Sequence, residues 1–311
     1  MIPEKLLYKY IEEICQEKGI ELEVLSYGWI RKLTKNGKSG FIIGNKFGLN
    51  DEVSFLIARD KYATFEILKN NNIPVIEHKM IFSPTKRSQY YDESFIKEAE
   101  RLAERHDGKI IIKANDSCEG KEVIYCQNIK EVRDTIKEMF DNDKETLSAQ
   151  PFVNIDYEYR CVYLDGNIEY VYKKRKPYVT GDGQSTILKL IDKKYKDVPV
   201  TLNRELNLLD VPKQGEEVTI SWKHNLYSGA EPIIIDETDP YYDQVIDIAL
   251  RAAKAINVRF ATVDVAQTHN REVRIMEINS SVSMVKFSTF VPNGDKIAKE
   301  IYRKAIDKLL E

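Results

Sequence analysis

Two short runs near the C-terminal end constrain this chain most. Val263-Asp264-Val265 and, after a turn, Arg274-Ile275-Met276-Glu277-Ile278-Asn279 both alternate apolar and polar residues, the period of a half-buried β-strand. Paired as neighbouring strands, they bring Asp264, Glu277 and Asn279 to one face. Three hard oxygen donors so placed suit Mg2+, with Mn2+ as the other candidate. Such an ion takes few protein ligands and completes its shell with water and phosphate oxygens. On spacing alone, a surface hairpin with its charges in solvent accounts for the same pattern, so other segments must decide.

With 311 residues the chain can bury a sizeable core, as one large domain or a few subdomains. Lys+Arg at 47 against Asp+Glu at 50 leaves a net charge of -3, which gives no whole-chain electrostatic case for a nucleic-acid or membrane partner. No apolar run approaches the roughly 20 residues that span a bilayer, and Met1-Ile2-Pro3-Glu4-Lys5 does not read as a signal peptide. Cys15, Cys118, Cys126 and Cys161 are far apart and form no CxxC pair. A reducing cytoplasm is therefore the expected setting; a homo-oligomer is compatible with the sequence.

The element pattern predicts an α+β chain. Leu6, Leu7, Tyr10, Ile11 and Ile14 recur at helical spacing, while 21–26 and 40–43 read as strands. Helices are expected over 60–69 and 92–105, then a strand over 109–113 that ends on a lysine. A polar loop (115–121), a strand (122–125), a helix (129–140) and a strand (147–153) complete a small lobe. Strands 159–164 and 168–172 flank a turn at Asp165-Gly166-Asn167. A helix from Pro240 to Ile256, capped by Asp239, is expected to back the Asp264 and Glu277 strands. The predicted organisation is a short N-terminal α/β region (1–105), a small lobe with a lid loop (106–155) and a large lobe (156–311).

A series of short motifs in a fixed order carries a resemblance. It runs from Ala58-Arg59-Asp60-Lys61 and Ile73-Pro74-Val75 through Lys113 and Glu158-Tyr159-Arg160 to Gly181-Asp182-Gly183-Gln184-Ser185-Thr186-Ile187. Asn225-Leu226-Tyr227-Ser228-Gly229 and the Asp264, Glu277, Asn279 set complete it. From about residue 57 onward the chain resembles ATP-grasp carboxylate-amine ligases. Among them it is most similar to the ATP-grasp part of cyanophycin synthetase and the glutathione-synthetase half of the bifunctional bacterial glutathione enzyme. The resemblance implies an ATP-grasp fold, with nucleotide held between a small β-α lobe and a larger C-terminal mixed-sheet lobe.

It also implies roles. Lys113 would face nucleotide phosphates, with Lys61 either a second phosphate contact or a solvated first-turn lysine. Ser117 and Gly120 lie in the loop expected over the triphosphate, which carries a single glycine. Gln150, Phe152 and Val153 would border the adenine and Glu158 the ribose hydroxyls. Lys174 falls where relatives carry an arginine facing the reacting phosphate, and Arg175 is the alternative. Asn225 and Ser228 would be either substrate contacts or turn residues. Ser280 to Phe287 replaces the usual Pro-Gly pair and would border the acceptor; there Ser281 and Lys286 are substrate candidates, and Met284 and Phe287 are expected to bear on acceptor choice.

The activity implied is ligation of an amino-acid or peptide carboxylate to an amine through an acylphosphate, using ATP and Mg2+ and releasing ADP. Its partners would be small amino-acid or peptide substrates. Two other readings remain open at this point: a nucleotide-binding regulatory protein that has lost turnover, and an ATP-dependent phosphotransferase.

Overall fold

The computed structural model describes residues 3–84, 94–115 and 122–311. Helix α1 (Pro3–Lys18) precedes strands β1 (Glu21–Leu25), β2 (Ile30–Lys35), β3 (Lys38–Ile43) and β4 (Lys46–Phe47), which pair antiparallel in sequence order. The apolar stripe Leu7, Tyr10, Ile11 and Ile14 is buried with Leu33, Ile42 and Phe47 of this sheet. Their partners are distant in sequence: Ala298, Ile301, Tyr302 and Ile306 belong to the same core. Gly40 sits against the Leu309 side chain with no room for a Cβ, which lets the sheet close onto the C-terminal helix.

Helices α2 (Glu52–Arg59) and α3 (Lys61–Asn70) follow. Asp51 caps α2 through the Ser54 amide, and Asp60 caps α3 through those of Tyr62 and Ala63. Strand β5 (Lys79–Phe82), helix α4 (Ser94–Arg105), strands β6 (Ile110–Ala114) and β7 (Val123–Cys126), helix α5 (Ile129–Asp141) and strand β8 (Thr146–Pro151) build the small lobe. Its antiparallel sheet runs β5-β8-β6-β7. Alternation decides the two faces. Ile110, Ile112, Leu147 and Ala149 pack under Ala99, Leu102, Val132 and Ile136 of the two helices, which leaves Ile111, Lys113 and Gln150 for the opposite face.

The large lobe begins with β9 (Ile155–Leu164) and β10 (Asn167–Arg175), joined through Asp165 and Gly166 at φ 44° and 96°. After β11 (Tyr178–Thr180), α6 (Ile187–Tyr195), β12 (Glu217–Thr219) and β13 (Glu231–Ile234) come α7 (Tyr242–Ala255), β14 (Phe260–Thr268), β15 (Val273–Asn279), α8 (Val285–Phe290) and α9 (Gly294–Leu309). The main sheet is ordered β13-β10-β9-β14-β15 with every strand pairing antiparallel; a single parallel bridge joins Val75 to Ile275. Val245, Ile248, Ala249 and Ala252 of α7 back β14 and β15 as the sequence predicts. Strands β11 and β12 with α6 form an insert with its own core of Val179, Ile187, Leu190 and Ile220. Gly181 there lies so close to the Pro212 and Lys213 carbonyls that no Cβ fits.

Three expectations about organisation change. The boundary at 105 does not follow the sheets, because β5 pairs with β8 and α4 covers that same sheet. The N-terminal hairpins share a core with α9 instead of standing apart. Helix α7 begins at Tyr242, two residues later than expected, so Asp239 stands in the turn before it: its carboxylate accepts from the Tyr241 amide at 3.0 Å, and also from Tyr159 Oη at 2.9 Å and Lys173 Nζ at 2.8 Å. No helix among the described residues is long and apolar enough to cross a membrane.

Candidate active site

The register of four strands assembles the site. Lys174 on β10 lies opposite Glu158 on β9, Arg160 opposite Asp264 on β14, and Asp264 opposite Glu277 on β15. Directly opposed residues, and residues two apart, share a face of an antiparallel sheet. The pairing then jumps from Asp264–Glu277 to Val265–Ile275. Met276 is the extra residue of this bulge, and it lines the same cavity as Glu277 instead of pointing to the core.

Arg160 grips Asp264 with both arms, Nε to Oδ1 at 2.7 Å and Nη2 to Oδ2 at 2.6 Å. Lys174 donates to Asp264 Oδ1 at 3.3 Å and to Glu158 Oε1. The Asn279 amide nitrogen donates to Glu277 Oε1 at 3.0 Å and to Asp264 Oδ2 at 3.3 Å. One point is therefore within reach of two carboxylates and an amide. Turning that amide over presents three oxygens to this point: Asp264 Oδ1 stays engaged by Arg160 and Lys174, whereas Asp264 Oδ2 and Glu277 Oε1 each regain a lone pair when the amide nitrogen leaves. The donor set fits a hard divalent cation.

Electrostatics keep the two carboxylates charged. Burial would raise Asp264, but Arg160 and Lys174 hold it down to about 2. Burial would likewise raise Glu277, and Lys113, Lys61 and the Asn279 bond together more than offset it. Glu158 goes the other way: burial, reinforced by the charge of Asp264, lifts it against the pull of Lys174.

These groups line one cavity of about 470 Å³ between the small-lobe sheet and the main sheet, with the N-terminal sheet at its edge. Ile111, Lys113, Gln150, Phe152 and Val153 form the small-lobe wall. Lys113 is 8% exposed, and burial brings its ammonium down to about 8. Ser148, opposite Lys113 in the sheet, bonds to buried His78 at 2.7 Å, where burial and the charges of Lys113 and Lys61 keep the ring neutral. Phe152 stacks on Tyr125 at 4.2 Å and meets Trp222 edge-on at 5.8 Å. Among the described residues, seven cations line the cavity against three carboxylates, Glu158, Asp264 and Glu277, so this described lining is opposite in charge to the chain.

Asn225, Ser281, Lys286 and Phe287 also line the cavity. Asn225 does so while its side chain accepts from the Tyr227 amide. Arg175 does not: strand alternation turns it outward, onto Glu217 and the ring of Tyr178. Lys61 is buried, does not line the cavity, and donates to the Asn115 carbonyl at 2.8 Å. Ser228 sits in the turn after Asn225 and does not line the cavity. Met284 is turned into the core, its amide donating to Tyr302 Oη at 2.9 Å, and the segment from Val285 is helical. Ser117 and Gly120 lie outside the described residues. Sequence reasoning did not single out Arg160 itself, Trp222, or the N-terminal wall of Trp29, Gly44, Asn45 and Lys46. Of these, only Arg160 carried a local signal, being two residues from Glu158 on the same strand face.

No family model matches the sequence. The chain is 24% identical over 305 residues to the glutathione biosynthesis bifunctional protein of Clostridium perfringens, covering 91% of this chain and 36% of that protein. It is 28% identical over 232 residues to the cyanophycin synthetase of a Synechocystis strain, covering 67% of this chain and 25% of that protein. It thus spans about a third or less of the curated relatives it matches. Among solved structures, a bifunctional glutathione synthetase from Pasteurella multocida superposes with a TM-score of 0.55 at 16% identity, covering 93% of this chain and 43% of that one. A D-alanine–D-alanine ligase from Bacillus anthracis also gives 0.55, at 14% identity over 84% of this chain and 68% of that one. The sequence and the architecture converge: this chain has the ATP-grasp fold, in common with those ligases.

Proposed function

We propose that this chain is an ATP-dependent carboxylate-amine ligase that joins an amino-acid or peptide carboxylate to an amine and releases ADP and phosphate. One observation carries the reading: Asp264, Glu277 and Asn279 converge in the same cavity as Lys113 and Lys174, with the small-lobe wall opposite.

A carboxylate is a poor electrophile, so it must first acquire a leaving group. One of its oxygens attacks the γ-phosphorus of ATP, the bond to the β-phosphate oxygen breaks, and ADP departs. The amine nitrogen then attacks the acyl carbon of the acylphosphate, inorganic phosphate leaves, and the nitrogen sheds a proton. The chain's contribution is positioning and charge. Lys113 and Lys174 offset the repulsion between a polyphosphate and an incoming carboxylate. Gln150, Phe152 and Val153 would border the adenine, and the Glu158 oxygen not taken by Lys174 would accept from the ribose. Asp264, Glu277 and Asn279 would hold Mg2+, which supplies Lewis-acid stabilisation of phosphate oxygens when bound.

The test is incubation with ATP, Mg2+ and pools of amino acids and dipeptides. ADP and phosphate should appear, and hydroxylamine should trap the activated acid as a hydroxamate. AMP with pyrophosphate would reject the mechanism, and nucleotide binding with no product from any pool would favour a regulatory protein.

A further inference from the structure

Between Ile76 and Lys79 the chain crosses from the main sheet to the small lobe. Before the crossing it runs along the edge of β15: the Ile275 amide donates to the Pro74 carbonyl and the Ile76 amide to the Ile275 carbonyl, each at 2.9 Å, around the bridge from Val75 to Ile275. After it, Lys79 pairs with Ala149 of β8. Glu77, in the crossing, meets Arg105 and Lys79 at the surface. His78, beside it, is turned inward and is 1% exposed.

The imidazole therefore stands in the joint between the two sheets. Its Nδ1 lies 2.7 Å from Ser148 Oγ, and Ser148 is directly opposite Lys113, on the same face of the small-lobe sheet. The Phe65 ring of α3 packs beside it, with centroids 6.3 Å apart. The Met276 backbone also acts on the ring, while Nε2 is buried and completes no hydrogen bond among the described residues. Met276 is the bulge residue with no opposite partner on β14, and it precedes Glu277. The ladder thus skips the point from which Glu277 is aimed into the cavity. An apolar side chain would fill the same space without desolvating two ring nitrogens. What an imidazole adds is direction: with the Ser148 hydroxyl donating to Nδ1, the ring proton stands on Nε2, a donor suited to a carbonyl.

We propose that His78 is a positioning residue that ties Lys113 to Glu277: Ser148 fixes one ring nitrogen in the small lobe, the other is presented to the Met276 backbone at the bulge, and the two site residues are thereby held in register across the cleft. The inference rests on the reading of Lys113 as a phosphate contact and of Glu277 as a cation ligand. His78 does not line the cavity; it acts through the strands that carry these two residues. Its effect belongs to the cooperation between metal and nucleotide, because that cooperation depends on the distance between the lysine and the carboxylate.

The test is calorimetric titration of a non-hydrolysable ATP analogue into the full chain, once with Mg2+ and once with EDTA. The factor by which Mg2+ tightens binding measures the cooperation, and in the parent it should be at least tenfold. His78→Asn keeps an amide beside Ser148 but falls short of Met276. It should lose most of that factor, since groups that orient a metal ligand act on a scale of about tenfold or more, and the loss should appear in the Mg2+ factor more than in the metal-free affinity. His78→Gln, whose amide nitrogen reaches about as far as Nε2, should recover at least half of what Asn loses. A packing role alone predicts a lower melting temperature with the Mg2+ factor unchanged in both variants, and that result overturns the proposal. So does an equal loss in Asn and Gln. Should His78→Asn not fold, Ser148→Ala removes the hydroxyl that orients the ring and should shrink the factor several-fold; an unchanged factor there overturns the proposal as well. Failure of the site reading looks different: a parent that binds the analogue equally with and without Mg2+ rejects the cation site and His78's role with it, whereas a full Mg2+ effect kept by His78→Asn rejects His78 alone. Ligation is decided separately, by the product assay.

Discussion

Arg160 holds both carboxylate oxygens of Asp264 from the neighbouring strand, and does so at the one position where β14 is paired on each side with a site residue. The pair is more than an ornament of the sheet. Asp264 is 1% exposed, and a buried carboxylate stripped of its partner costs far more than the intact pair contributes.

Arg160→Gln should therefore lower unfolding stability by about 3 kcal/mol, the scale for breaking a buried ion pair from one side. Arg160→Lys, which keeps the charge but not the two-armed geometry, should lose less. Urea unfolding with an unchanged m-value is the measurement; a loss under about 0.5 kcal/mol would mean Lys174 alone suffices for Asp264.

Glu277→Gln changes charge at nearly constant volume, and the amide still bonds Asn279. Far-ultraviolet dichroism and the melting temperature should stay close to the parent, while Mg2+-dependent ATP consumption falls at least a hundredfold. Unchanged consumption would remove Glu277 from the cation site.

Two histidines give the pH dependence a sign. His78 is kept neutral well below the usual histidine range, and burial brings His224 down to about 3. In the unfolded chain both take up protons near pH 6.5. Stability is thus complete above that value and drains away as pH falls toward 3, by roughly 2 kcal/mol per histidine between pH 7 and 5. Raised Glu158 opposes this, because there the native state binds the extra proton. The comparison of interest is consequently His78→Gln against the parent: the variant's stability should fall less between pH 7 and 5, by about the single-histidine amount. Parallel curves would show that His78 is protonated in the native state.

Tyr302→Phe tests the pin on the segment after Asn279. The Tyr302 hydroxyl accepts from the Met284 amide at 2.9 Å and lies 3.3 Å from the Val282 carbonyl, while its ring stacks on Phe47 at 5.6 Å. The variant keeps the stack and orphans a buried amide, at a cost of about 1–3 kcal/mol. Hydrogen exchange should accelerate at 282–287 more than at β14. Uniform acceleration across the fold would assign the loss to the core alone.

What the sequence disclosed follows the range of its signals. Asp264, Glu277 and Asn279 were legible because strand alternation acts over a few residues, and Lys113 because it ends an apolar strand. The same alternation decides between Lys174 and Arg175, but only once Glu158 is known to lie opposite Lys174. Arg160 sat in plain view as a strand residue; its function exists only through a pairing 104 positions away. The bulge at Met276 leaves no mark on an otherwise alternating run. Trp29 and Lys46 reach the cavity because β3 and β4 dock on the last helix, a contact no local pattern encodes. The lid-loop assignments for Ser117 and Gly120 fall outside the described residues.

The core that joins residues 7–49 to 282–306, with Val162, Leu164, Tyr172 and Phe260 among them, has a kinetic corollary. Closing so long a loop is entropically expensive and slow, whereas the small lobe draws its contacts from within residues 81–149. During synthesis the small-lobe wall is expected to fold while the chain is still emerging. The N-terminal hairpins complete their core only when the strands of the large lobe and then α9 are available, so the wall that carries Trp29 and Lys46 is expected to form late.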